Sequence, residues 1–196
     1  MMNHRKFFAA LAVVAMAFTA RSMGDVLLEI NDSNPNAVTI TATGNFSSIN
    51  ATGISDGHGV DLLEFFTSVA PRGGFDYSGS LAPNSVPESY DTLYVNDDSG
   101  TPSDADIFNY NGAGYYAQNF STTAPAFTGT ATVDFSSVAS LLPPGGDSGN
   151  ILDGNSVSSE GVIGTWYVVP EPSTYALLFI ALCVLALLIP CRGTQA

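Results

Sequence analysis

Residues 37–43 read Ala37-Val38-Thr39-Ile40-Thr41-Ala42-Thr43, and this stretch decides the fold class. Val38, Ile40 and Ala42 fall on one side of a two-residue period and the threonines on the other. Successive side chains of a strand point to opposite faces, so the pattern predicts a half-buried β-strand. On its N-terminal side, residues 26–30 form a second apolar run and predict a first strand. Between the two lies Asn31-Asp32-Ser33-Asn34-Pro35-Asn36, a turn, because short polar side chains bond nearby backbone and proline fixes φ. On the C-terminal side, Gly44 reads as a bulge after which residues 45–49 continue the sheet.

Further strands are expected at residues 75–77, 92–95, 107–110, 115–120, 126–135 and 162–169. Leu62, Leu63, Phe65, Phe66 and Val69 fall at helical spacing and predict one or two helical turns, stopped by Pro71. Short strands, Gly-bearing turns and no long amphipathic helix predict a mainly β, antiparallel β-sandwich-like domain. Phe46, Phe75, Phe120, Phe135 and Trp166 are its expected core aromatics. That aromatic and β-branched content opposes the rival reading of a disordered spacer. Residues 41–49 match residues 130–138 at six of nine positions. The echo reads either as paired edge strands in two sheets or as the coincidence expected of a Thr- and Ser-rich β-protein.

The chain has 196 residues, is 45% hydrophobic and only 12% charged, and carries a formal net charge of −13. Between Asp25 and Pro170, Arg72 is the single basic residue against 17 Asp and Glu. Such a surface repels phosphate backbones and anionic lipid, which argues against nucleic-acid partners. Both cysteines, Cys183 and Cys191, lie at the C-terminal end. The middle of the chain therefore has no internal disulfide, thiolate nucleophile or Cys-based metal site.

The two ends read as targeting segments. Residues 1–24 carry Arg5 and Lys6, an apolar run from Phe7 to Phe18, and then small residues, which is the pattern of a secretory signal peptide. Cleavage is expected after Ser22 or Gly24. Residues 25–168 form the exported β-rich domain. Residues 175–189, YALLFIALCVLALLI, are apolar on every face and are expected to form a membrane helix, short for a bilayer and closed by Pro190. Ahead of it stands Val169-Pro170-Glu171-Pro172-Ser173-Thr174, whose alternate prolines hold the chain extended.

Pro170-Glu171-Pro172, the Ser173-Thr174 that follows and the terminal apolar helix together resemble the PEP-CTERM family of exported bacterial proteins. The resemblance covers residues 169–196 only. It implies a sorting signal with Pro170, Glu171 and Pro172 as recognition residues, read by an exosortase-like membrane protease. It also implies a precursor held in the membrane by its C-terminal helix, then delivery to the cell surface or extracellular matrix. Family members usually end in several arginines, whereas this chain has Arg192 alone.

Sites of chemistry are sparse. Residues 96–106 offer weak Ca²⁺ ligands in Asp97, Asp98, Asp104 and Asp106, since a hard cation needs six to eight oxygens. The spacing lacks a Glu-terminated EF-hand loop, and a solvated loop is the plainer reading. Asp56, His58 and Asp61 pair carboxylates with an imidazole, but His58 sits between two glycines and reads as a turn residue. No nucleophile elbow, phosphate loop or zincin helix is present. Asn45, Asn50 and Asn119 fit the N-glycosylation rule, and in a bacterial protein read as turn and strand residues.

These observations predict a non-enzymatic exported surface or matrix protein with no cofactor and no catalytic residue. Its expected partners are the sorting protease and matrix polysaccharide or envelope components. A glycan- or Ca²⁺-binding module, with Tyr115 and Tyr116 lining a groove, is one alternative. A secreted hydrolase with carboxylates meeting in space is the other.

Overall fold

The computed structural model describes residues 26–55, 59–95, 103–110, 116–154 and 161–170. Fourteen strands carry the architecture. The N-terminal part holds β1 (Val26–Asn31), β2 (Val38–Ala42), β3 (Ala51–Ser55), β4 (Val60–Leu62), β5 (Gly73–Phe75) and β6 (Tyr77–Gly79). The middle holds β7 (Ala82–Pro83), β8 (Thr92–Val95), β9 (Ala105–Phe108) and β10 (Ala117–Phe120). The C-terminal part holds β11 (Phe127–Thr128), β12 (Thr130–Val133), β13 (Ser148–Leu152) and β14 (Val162–Val168). Short 3-10 turns occupy Pro35–Ala37 and Ser136–Leu141.

Ten strands form one sheet in the order β5-β8-β9-β4-β13-β14-β1-β2-β12-β6, and two ribbons, β10-β3 and β11-β7, complete the domain. The two edge strands, β5 and β6, are separated in the chain by Asp76 alone. Consecutive Cα atoms lie about 3.8 Å apart, so Phe75 and Tyr77 sit within roughly 8 Å of each other. The sheet must therefore curl until its edges meet at a seam. The result is a mainly β, near-barrel domain rather than two stacked antiparallel layers. A second departure from the expected antiparallel arrangement is the β1–β14 pair, which is parallel, with Glu29 opposite Tyr167 and Ile30 opposite Val168. The two strands come from opposite ends of the described chain, and no local pattern signals such a pairing.

The interior follows from alternation. Leu28 and Ile30 on β1, Val38 and Ile40 on β2, Ala131 and Val133 on β12, and Ile163, Trp166 and Val168 on β14 are all buried. Phe135 is the hub of an aromatic cluster, with ring centroids 4.9 Å from Phe75, 5.6 Å from Phe66 and 5.8 Å from Phe65. Phe65 in turn meets Trp166 edge-on at 5.5 Å. Such pairs add about 0.5–1.5 kcal/mol beyond area burial. Phe120, Phe135 and Trp166 are core as expected and Phe75 is half-buried against them, but Phe46 is 48% exposed.

Residues 62–69 are not helical. Leu62 ends β4, and the chain then turns through Glu64 at φ +52°. Distant groups satisfy its backbone: Leu63 N–H donates to Asn150 O at 3.0 Å, Phe66 N–H to Ser103 O at 2.8 Å and Thr67 N–H to Leu141 O at 2.9 Å. Long-range partners thus replace the i→i−4 bonds of a helix, and Val69, expected on the apolar face, is 68% exposed. The strand expected at residues 126–135 is broken at Gly129, φ +83°, into β11 and β12. A side chain there would run into the Ser80 carbonyl. Residues 45–49 leave the sheet instead of continuing it, retaining one isolated bridge from Phe46 to Pro125. Strands β3, β4, β7 and β13 arise where no strand was expected.

The two echoed segments are antiparallel neighbours in the main sheet, with Thr41 opposite Thr130 and Thr39 opposite Thr132. Thr41 and Thr130, the first residue of each copy, face each other, and the two copies run away from that pair in opposite directions. They are therefore partners within a single sheet, not edges of two.

Candidate functional site

Of the acidic residues singled out in the sequence, Asp61, Asp104 and Asp106 are described. Asp104 is buried, and its Oδ1 accepts the Glu64 N–H at 2.7 Å, holding the left-handed turn that delivers Phe65 and Phe66 to the core. Asp106 lies directly across from Asp61 in the β4–β9 ladder and from Tyr94 in the β8–β9 ladder. Both carboxylates are buried. Among the described residues, no group of three or more His, Cys, Asp or Glu is placed to hold a metal ion. Asp97, Asp98, Asp56 and His58 lie outside the described residues, as do the signal segment 1–24, Tyr115, Glu171, Pro172 and the apolar run 175–189. Pro170 is described and exposed. No helix among the described residues is long and apolar enough to cross a membrane.

The candidate glycosylation asparagines are engaged in the fold. Asn45 Nδ2 donates to Val26 O at 2.8 Å, and Asn50 Oδ1 accepts the Thr122 N–H at 3.1 Å. Asn119 lies on β10, where its N–H donates to Ser85 Oγ at 2.7 Å. Tyr116 is exposed at the start of β10.

Two further polar groups, on β10 and β6, are withdrawn from solvent. Gln118 is fully buried, accepting from Tyr90 Oη at 2.8 Å and donating to Gly59 O at 2.6 Å. Tyr77 has no hydrogen-bond partner for its hydroxyl. Burial first, and the Asp91 charge second, push its phenol above the usual tyrosine range. It therefore stays neutral at physiological pH, as desolvation requires.

Among the described residues, a concavity lies where the sheet edges meet. It is an open cleft of about 400 Å³ between β5 and the turn that follows β12. Arg72, Gly73, Phe75 and Asp76 form one wall, and Asp134, Ser136 and Ser137 form the other. Asp76 O accepts the Asp134 N–H at 3.1 Å and so ties the two walls together at their base. The Asp134 carboxyl is held below the usual aspartate range by its side-chain hydrogen bond with Ser136 and by the Ser136 N–H, which donates to Oδ1 at 2.8 Å. It is ionised at neutral pH. The cleft therefore offers carboxylate acceptors, hydroxyls able to donate and accept, and the guanidinium of the domain's only basic residue.

Sequence reading passed over this site. Its two walls are some sixty residues apart, and each residue taken singly looks like a turn. The signal that existed was the isolation of Arg72 in an otherwise acidic domain. Comparison with protein-family models, with curated proteins and with solved structures gives no match.

Proposed function

We propose that this protein is a non-enzymatic component of the cell surface or extracellular matrix, exported as a precursor and sorted by an exosortase-like membrane protease. Residues 170–172 are the recognition signal in this reading, and 175–189 the membrane helix that presents it. The observation that carries it is where the last strand ends. Val168 is fully buried on β14, and Val169 N–H donates to Ile30 O at 2.8 Å. One residue later Pro170 is exposed. The chain thus passes from the buried Val168 to the exposed Pro170, the first residue of the tripeptide, within two residues.

Intact-mass measurement of the mature protein from its host tests this. The expected mass lacks the N-terminal segment and everything beyond the neighbourhood of Pro172. Glu171→Ala is expected to leave the C-terminal segment attached and the protein in the membrane fraction. A mature protein retaining both ends, or unchanged processing of the variant, overturns the proposal.

A further inference from the structure

We infer that the seam cleft between β5 and the turn after β12 is a binding site for a neutral saccharide. Its volume of about 400 Å³ falls within the usual range for small-molecule sites. The lining chemistry then selects among ligands. Anions are disfavoured, because Asp76 and Asp134 outnumber Arg72 in the cleft and the domain around it is strongly acidic. A bare metal ion is disfavoured, because two carboxylates fall short of the oxygen shell a hard cation needs. An extended peptide would pair with β5, which offers three residues of edge and little apolar pocket.

A polyol fits each of these constraints. Every sugar hydroxyl both donates and accepts, which suits a cleft with a carboxylate on each wall and serine hydroxyls beside one of them. Asp76 and Asp134 supply acceptors from the two walls, and the half-buried Phe75 adds apolar surface to the lining.

Gly73 gives independent support. A Cβ at this position would meet nothing within 4 Å, and its backbone is not in the left-handed region. Neither packing nor φ explains a glycine on a strand, where it lowers stability. Its bare backbone does leave the cleft wall open for close approach of a ligand.

The test uses the purified full-length protein in a polyoxyethylene detergent, which carries no sugar. Calorimetric titration with cellotriose, maltotriose and mannotriose is expected to give a Kd of about 1 mM or tighter for at least one of them. Trigalacturonate, their anionic counterpart, is expected to bind at least about tenfold more weakly than the best neutral sugar. Gly73→Val fills the open wall and is expected to weaken binding at least about tenfold with Tm unchanged. Should Gly73→Val fail to fold, Asp76→Ala carries the same expectation. Absence of heat with all three neutral sugars overturns the inference, as does tighter binding of trigalacturonate or wild-type affinity in a folded variant. These readouts do not depend on processing, so failure here and failure of the sorting proposal are distinguishable.

Discussion

Residues 41–49 and 130–138 carry nearly the same sequence and meet opposite fates. Both start as Thr-Ala-Thr in adjacent strands, Thr41 facing Thr130. They diverge at the fourth position. Gly44 adopts φ +79° and turns the chain out of β2, after which Ala126 N–H donates to Asn45 O and Ser47 N–H to Ser121 O. Val133 stays in β12, buried and paired with Val38. Two residues further on, Phe46 is 48% exposed while Phe135 is fully buried at the centre of the aromatic cluster. One backbone choice thus decides whether the same Phe-Ser-Ser forms surface or core. It also places the second copy's Ser-Ser on the wall of the seam cleft.

The strongest way to break this comparison is to truncate both phenylalanines. Phe135→Ala is expected to cost about 3–5 kcal/mol by cavity formation, and Phe46→Ala less than about 1 kcal/mol. Urea unfolding of the two variants checks the asymmetry, and equal losses would refute the assignment of core and surface. The divergence point itself comes next. Gly44→Val forces a β-branched residue into the left-handed region and is expected to destabilise by about 1–3 kcal/mol, though open space surrounds the site. Retention of wild-type stability would mean that Gly44 does not set the path.

The smallest effect concerns the fifth position. Asn45 donates to Val26 O, whereas Asp134 accepts from Ser136. Because the folded Asp134 carboxyl is held below its unfolded value, its stabilisation is full above the unfolded pKa of about 4. It fades as pH falls through the lowered folded value. Asp134→Asn is therefore expected to flatten the acid limb of Tm against pH slightly, and a limb of unchanged slope would remove the carboxylate from the account.

Local chemistry was legible where a segment carried its own period. Strands β1, β2, β8 and β14 fall close to where alternation placed them. The turn before β2 also holds, with Asn34 Oδ1 accepting the Asn36 N–H as a turn cap. Residues 62–66 failed for a definite reason. Leu62, Phe65 and Phe66 are all buried, so the apolar spacing was real, but partners far along the chain, Ser103, Asp104 and Asn150, bond the backbone. Periodicity reports which side chains go inside, not which carbonyl receives which N–H. The same limit applied to Asp104, since nothing in its sequence context signals that its carboxylate holds the Glu64 turn.

The sequence by itself determined that the domain is mainly β, acidic and aromatic-cored, because composition and a two-residue period are local properties. Only the tertiary structure decided that β1 runs parallel to β14 and that the edges of one sheet meet at Asp76. It alone brought Arg72 and Asp76 opposite Asp134 and Ser136. These outcomes depend on contacts between residues far apart in the chain. Their free energy lies in the closed sheet as a whole, and no single segment carries it.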